Sequence, residues 1–488
     1  MKTQRRKVNQ MFSISAFLLE KLCVFAPLRL CVKFYSLIMK ILSADYVLPI
    51  SAALIENGAV AIEKDKIAAV GKREELIKKF PEAKEENFGE AVIMPGLINA
   101  HSHLEITAMR GFLDDVEEDF SAWLMKLSTI RADNLTEKDI EISALAGALE
   151  GARSGVTCFG DIGRFGKAGF AALKQIGLRG ILFQETDFSP KNEEAENDFA
   201  KLKDKFLTLK ETETALVKVG ISPHAPYTVS RKLFEKITEY ALCENIKITI
   251  HAAESNQEKE FFLTGKGFFA ELYQKLNLEW NAPETSEIEY LAEIGVLRAK
   301  PLLAHCVKVS DKDIDLIADS ATRIAHCPKS NAKFGHGIAP LEKFLDKKIR
   351  VGFGSDSVAS NNTCDILEEA RFATLFARNL QNKTRFLNAQ EIIETATLGG
   401  ASALGLENEI GTLEENKQAD LIVISLDNIA QLPVHDIYSA LLFASNARDI
   451  RLTIVAGEEI FRAGGEAKKI DEKELKHEIK TIWQKMRN

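Results

Sequence analysis

Residues 93–105 read Ile-Met-Pro-Gly-Leu-Ile-Asn-Ala-His-Ser-His-Leu-Glu. An apolar run that follows a Pro-Gly turn and ends in His101 and His103 reads as a buried strand. Side chains on a strand repeat every two residues, so Leu97, Asn99, His101 and His103 share one face. Two imidazoles side by side at a strand end can take adjacent positions on one metal ion. For an isolated His-x-His the competing reading is two half-buried histidines, each satisfied by a backbone partner. The pair needs partners further along.

Downstream, strand and helix patterns alternate. Compact strand candidates fall at 156–161, 178–183, 217–224, 246–251, 302–307, 323–327 and 351–356. Helical stretches separate them; in one, Ile142, Leu145 and Leu149 share a face behind a Thr136/Asp139 cap pair. With the His-x-His strand this makes eight β/α units, which predicts an α/β chain folded as a (β/α)8 TIM barrel, with its chemistry at the C-terminal strand ends. His101, His103, Asp161, His224, His251, His305, His326 and Asp356 all lie at or just after such ends. A core histidine explains any one of them, but not the shared position. One barrel mouth would gather these side chains around a single ion.

The flanks read differently. Short strand patterns at 41–48, 59–63 and 66–70, with Asn57-Gly58 and Asp65 as turns, are matched near the other end by 420–425, 450–456 and 458–461. Neither end buries a core alone, so the two are expected to pair into one small β-sandwich domain. The expected division is 39–93 and 409–465 for that domain, 94–408 for the hydrolase barrel, and 466–488 for a C-terminal helix. Ile470, Leu475, Ile479 and Ile482 give that helix an apolar face, which covers its own domain or contributes to a homodimer contact. Residues 1–38 read as a disordered extension or a mis-assigned start. Their basic beginning and the apolar 11–19 resemble a signal peptide, but no small-x-small cleavage site follows.

Of the 488 residues 46% are hydrophobic and 27% charged, and the formal net charge is -8 with no basic stripe in the body of the chain. That argues against nucleic acid or an anionic membrane as partner and leaves a small-molecule substrate. Seven scattered cysteines without a Cys-x-x-Cys read as reduced thiols of a cytoplasmic protein.

Catalytic zinc takes a few nitrogen and carboxylate ligands and keeps a position open for water, whose pKa it lowers to about 7. His101, His103, His251 and Asp356 make such a set, with no cysteine placed to compete; the consequence is hydrolysis. Glu254, three residues past His251, can stand beside the ligand and shuttle a proton while Asp356 holds the proton taken from water. A helix-start acid is the alternative for Glu254. His305 reads as a donor that polarises the attacked group, or as a buried structural histidine.

Together, Met-Pro-Gly-Leu-Ile-Asn-Ala-His-Ser-His (94–103), His-Ala-Ala-Glu (251–254), Ala-His-Cys (304–306), His-Cys-Pro-Lys-Ser-Asn (326–331), Gly-Ser-Asp-Ser-Val-Ala-Ser-Asn-Asn (354–362), Ile-Gly-Thr-Leu-Glu (410–414) and Ala-Asp-Leu-Ile-Val (419–423) resemble the amidohydrolase superfamily. Within it they are similar to the cytosine, guanine, thioadenosine and chlorotriazine aminohydrolase group. The resemblance implies one zinc ion, with ferrous iron as the other candidate, on His101, His103, His251 and Asp356. It also implies Glu254 as proton shuttle, His305 as catalytic partner and His224 as a substrate contact. Where binuclear relatives carry a bridging lysine, this chain has Ser-Pro-His-Ala-Pro (222–226), which fits one metal. Two departures bear on substrate. Arg131 stands where adenosylhomocysteine and methylthioadenosine deaminases carry a ribose-binding glutamate. Glu105, two residues past the metal pair, resembles the aminodeoxyfutalosine deaminase branch and is expected at the mouth, on a sugar hydroxyl or exocyclic amine, or else as a solvated loop acid. The expected activity is hydrolytic deamination of a purine-like nucleoside or heterocycle, 6-amino-6-deoxyfutalosine first. The alternatives are methylthioadenosine/S-adenosylhomocysteine or guanine deamination, dehalogenation, and a metal-free scaffold.

Overall fold

The computed structural model describes residues 39–465 and 470–487, so the expectation for 1–38 lies outside the described residues. The chain opens with β1 (Met39–Val47), β2 (Ile55–Glu63), β3 (Lys66–Lys72), β4 (Lys84–Asn87) and β5 (Ala91–Pro95). Then come β6 (Leu97–Ser102), β7 (Val156–Gly163), β8 (Arg179–Glu185) and β9 (Val217–Ser222), a parallel four-stranded run in that order. A second parallel run follows: β10 (Thr249–Ala252), β11 (Leu302–His305), β12 (Arg323–His326) and β13 (Val351–Phe353).

Two isolated bridges join the runs: Ile221 pairs with Ile248, and Ser102 with Asp356. The Asp356 amide donates to the His101 carbonyl at 3.0 Å and the Ile221 amide to the Lys247 carbonyl at 3.0 Å. The eight strands therefore close into a barrel, with the β6–β13 seam at the His-x-His stretch. Ile98, Ala100, Ile181, Phe183, Leu302 and Ala325 fill the interior in contact with Ala401 and Ala403.

Several strands stop short of their expected ends. β9 ends at Ser222, before Pro223, which has no amide to donate. β11 ends at His305 because His305 and Cys306 turn to φ 73° and 49°, and β13 ends at Phe353 ahead of Asp356 at φ 54°. A left-handed residue carries its amide out of the ladder, so these positions become loop starts that aim side chains into the mouth.

β14 (Leu421–Ser425), β15 (Ile450–Val455) and β16 (Glu458–Arg462) join the first strands in one sheet of order β16-β15-β14-β5-β1-β2-β3, with β4 on β1. The Ile67 amide donates to Lys417 and the Ala419 amide to Asp65, so the sheet folds back across its own apolar face. Val60, Ile62, Val423 and Leu452 meet in that interior. β5 pairs Met94 with Ile422 and Pro95 with Leu421, which carries this sheet two residues past position 93.

Two helices matter for the site. α1 (Phe120–Asp133) starts where the Asp119 side chain accepts the Ser121 and Ala122 amides. α2 (Glu137–Arg153) starts at the expected Thr136/Asp139 capping box and buries Ile142 and Leu149. The terminal helix α3 (Glu472–Arg487) buries Leu475, Ile482 and Met486 and lies along α2, where Lys485 Nζ is 2.7 Å from Asp139. No helix among the described residues is long and apolar enough to cross a membrane.

Candidate active site

The His-x-His strand is pinned from both sides. Asn99 donates to Ser355 Oγ at 2.7 Å and accepts the Ser355 amide at 3.0 Å, which ties β6 to the segment after β13. Ser102 Oγ donates to Asp161 Oδ1 at 2.9 Å, and the Leu104 amide donates to the same oxygen. Asp161 is thus a buried brace for the turn after His103. Gly354 makes the seam possible: a Cβ there would meet His101 Cβ at 2.7 Å.

His101, His103 and His251 converge, with ligand atoms all within 4.8 Å of one another. His103 Nε2 is 3.2 Å from His251 Nε2, and Asp356 Oδ1 is 3.5 Å from Nε2 of both His101 and His103. Orientation comes from the surroundings. His251 Nδ1 donates to the His224 carbonyl at 3.0 Å, leaving its Nε2 lone pair for the cluster. Asp356 Oδ2 accepts Ser330 Oγ at 2.7 Å and Ser360 Oγ at 2.8 Å, leaving Oδ1 for the histidines.

The residues fit a divalent cation. Both ring nitrogens of His101 are buried without a hydrogen-bond partner among the described residues, which is costly unless something else takes the ring's lone pair. Burial, aided by His101, holds His103 down at about 4, and burial with the neighbouring imidazoles holds His251 well below the usual histidine range. These rings are neutral at pH 7 and present lone pairs. Burial works to raise Asp356, but His101, His103 and His305 outweigh it and keep the carboxylate ionised. The expectation was that no cysteine is placed to compete, yet the Cys327 sulfur groups with His101 and His305. Burial pushes its thiol well above the ordinary range, which keeps it protonated and a poor ligand.

Glu254 is 4% exposed, and its Oε1 lies 3.7 Å from His305 Nδ1 and 3.6 Å from His336 Nε2. Burial, then the charges of Glu258 and Asp356, hold its carboxyl well above the usual range. Its loop is backed by two more buried acids: Glu287 Oε2 accepts the Ala253 amide at 2.7 Å, and Glu258 accepts the amides of Glu254 and Ser255 at 3.1 Å. His305 Nδ1 meets Asn331 Oδ1 at 2.9 Å, which puts the proton on Nδ1 and turns Nε2 to the cavity; burial holds this ring at about 4.

Ala253, His305, Cys306 and Asp356 all have φ between 49° and 73°. Such residues cost about 1–3 kcal/mol each and persist where the surroundings over-determine them. Two of the four, His305 and Asp356, line one opening.

A cavity of about 470 Å³ opens above the cluster. His103, His224, His251, Glu254, His305 and Asp356 form its floor; Phe120, Trp123, Leu127, Phe269 and Phe334 make an apolar wall; Arg131, Arg164, Glu185 and Asp187 add charge. Glu105 differs from both expectations for it. It is 2% exposed, its Oε2 accepts the Arg164 and Phe165 amides at 3.1 and 3.2 Å, and it does not line the cavity. The cause is the short helical turn at Leu104–Met109, which folds the residue inward under the β7 loop. Glu185 was missed in the sequence, since β8 runs two residues past its expected stop at 183. His336 carried no strand signal at all.

The profile of the amidohydrolase family matches residues 92–460. This chain is an amidohydrolase. A profile described as an imidazolonepropionase-like composite domain of bacteria matches residues 58–83, inside the outer sheet. Among curated relatives of this amidohydrolase, the 5-methylthioadenosine/S-adenosylhomocysteine deaminase of Thermodesulfovibrio yellowstonii is 32% identical over 450 residues, covering 91% of this chain and 97% of its own. Among solved structures, an adenosine deaminase from Xanthomonas campestris with bound zinc has a TM-score of 0.79 at 26% identity, covering 92% of this chain and 98% of its own. Helicobacter pylori aminofutalosine deaminase, in complex with methylthio-coformycin, has a TM-score of 0.72 at 24% identity over 86% of this chain and 100% of its own; at that identity the likeness is one of fold.

Proposed function

We propose that this amidohydrolase is a metal-dependent deaminase of an adenine nucleoside carrying an enlarged 5′ substituent. The observation that carries the reading is a buried Glu254 on the floor of a 470 Å³ cavity, its carboxyl pushed above the usual range by burial, beside the His101, His103, His251 and Asp356 cluster. A zinc or ferrous ion held by those four residues would lower the pKa of a water enough for hydrolysis at neutral pH.

The chain's own groups then carry the protons. Asp356 takes the proton of the water that adds to the amino-bearing ring carbon, and Glu254 delivers its proton to the adjacent ring nitrogen. The carbon–nitrogen bond breaks, ammonia leaves with the proton that Asp356 held, and the proton remaining on the added oxygen returns to Glu254 as the oxo product forms. His305 offers Nε2 to the added oxygen, and His224, whose Nδ1 is 2.8 Å from Thr228 Oγ1, presents its other edge to the base. Phe120, Trp123 and Phe334 give the purine ring apolar surface and keep bulk water out.

The substrate choice rests on the charged wall. Arg131, Arg164, Glu185 and Asp187 suit ribose hydroxyls and a polar 5′ group. S-adenosylhomocysteine, 6-amino-6-deoxyfutalosine and methylthioadenosine are the candidates, and the deaminase relatives support the class. The five described cysteines are all unpaired, which supports a reducing, cytoplasmic setting.

Ammonia release from those three compounds, adenosine, guanine and cytosine, with zinc-loaded protein and a Glu254→Gln control, tests the reading. Release from a 5′-substituted adenosine, lost in the control, supports it. Silence across the panel with zinc bound overturns it.

A further inference from the structure

We propose that His336 is a positioning residue for Glu254, donating from Nε2 to its carboxyl oxygen and so setting how readily Glu254 gives up its proton. The inference rests on the deaminase reading insofar as Glu254 is the proton carrier.

Two imidazoles approach Glu254 Oε1, and only one is available to it. His305 Nδ1, 3.7 Å away, is already bonded to Asn331 Oδ1 at 2.9 Å. His336 Nε2, 3.6 Å away, is buried and has no hydrogen-bond partner among the described residues. At 3.6 Å the pair is not hydrogen-bonded in this structure, and a carboxyl rotation is required to bring the two atoms within about 3 Å.

The ring has little freedom to turn elsewhere. His336 is 3% exposed, stands edge-on to Phe120 with centroids 4.8 Å apart, and tilts over Phe334 at 5.2 Å. Its backbone amide donates to the Asn331 carbonyl at 2.9 Å, so Asn331 anchors both histidines that flank Glu254. Phe120 and Phe334 also form the apolar cavity wall. A ring bound against that wall therefore bears on the same two side chains that aim His336.

The chemistry follows from charge. When Glu254 passes its proton to the substrate, a carboxylate is left where water is scarce, and an N–H donor stabilises that anion. Burial, with His305 and Lys308, holds the His336 ring at about 3 against the opposing pull of Asp356, so it stays neutral and keeps a single proton to donate. The charged and titratable groups facing it are Glu254, His305, Lys308 and Asp356.

The test compares His336→Ala with His336→Gln, whose amide N–H replaces the donor. Expected for His336→Ala is a fall in kcat of about tenfold to a hundredfold, the loss that follows removal of one hydrogen bond to a charged group. KM should stay within about twofold, since the donor acts on the proton transfer and not on binding. His336→Gln should recover most of kcat. A second readout needs no substrate: infrared titration of the buried carboxyl band, assigned by its disappearance in Glu254→Gln. Its midpoint should move to higher pH in His336→Ala and return toward wild type in His336→Gln. An unmoved midpoint in a folded His336→Ala protein overturns the proposal, whatever the substrate panel yields. Equal kcat losses in Ala and Gln variants also overturn it, because they would mean packing alone. If the midpoint moves while no nucleoside is turned over, the contact stands and the deaminase reading fails.

Discussion

The two ends of the barrel obey different rules. At the N-terminal end, Arg179 opens β8 and donates from Nε to Asp420 Oδ2 at 2.7 Å and from Nη2 to Oδ1 at 3.1 Å, while the same Asp420 accepts the Ala456 amide at 2.8 Å. That ion pair is buried, bidentate and tied to the outer sheet. At the C-terminal end, His101 Nδ1 and Nε2, Glu105 Oε1, His326 Nδ1 and His336 Nε2 are buried without hydrogen-bond partners. Unpaired buried polar atoms occur elsewhere too, Arg323 Nε at the opening of β12 among them. At this end, however, imidazoles and carboxylates gather around one cavity, which marks them as groups held in readiness for a metal, a proton or a substrate.

If that contrast is right, the ends should fail differently. The largest effect belongs to the metal cluster. Stripping divalent ions with a chelator should abolish ammonia release and lower the melting temperature, and zinc should restore both, because ligand binding to the folded state adds to its stability. A chelated protein with full activity would break the comparison at once. Next, Glu254→Gln should cut kcat by about 10²–10⁴, the usual weight of one general acid–base group, with little change in melting temperature.

The opposite end should show the reverse pattern. Arg179→Ala leaves the buried Asp420 without its charge partner, a change that typically costs about 3–5 kcal/mol. Thermal denaturation should register it as a drop of several degrees, while kcat per folded molecule stays near wild type. Loss of turnover without loss of stability would erase the distinction between the ends.

The smallest effect is a change of slope with pH. Burial, then the charge and hydrogen bond of Glu258, hold the Glu287 carboxyl well above its usual 4.5. A group whose folded pKa is raised binds its proton more tightly when folded, so its contribution to stability is full below the unfolded value and fades as pH rises toward the folded one. Glu287→Gln keeps an acceptor for the Ala253 amide and has no proton to lose. Melting temperature should therefore fall less steeply with pH above 4.5 in the variant than in wild type. Parallel curves would mean that Glu287 is ionised in the folded protein.

How far the chain could be read depended on whether a residue's place follows from local pattern. The His-x-His strand was legible because an apolar run ends where a barrel keeps its chemistry. The single face expected for Leu97, Asn99, His101 and His103 is not kept: the β6–β7 register shifts between Asn99 and Ser102, and it is Ile98 and Ala100 that pack in the interior. His251, His305 and Asp356 were found by the same shared position. Glu105 was misread because its neighbour's strand ends at Ser102 and a helical turn then folds it under the β7 loop. Periodicity does not report such a reversal. The outer sheet was legible as two β-rich ends, but its backbone connection through the β5–β14 ladder was not.

By itself the amino-acid sequence determined the element types, the barrel class and which side chains close strands, because those follow from residue periodicity and punctuation. The tertiary structure alone decided which of these side chains face one another. It brought Cys327 beside His101 yet kept it protonated by burial, set Arg131 and Glu185 in the cavity wall, and aimed His336 at Glu254 from a loop without strand or helix signal. Those outcomes depend on closure of a barrel between residues hundreds of positions apart, and on the solvent that closure excludes, neither of which is a local property of the chain.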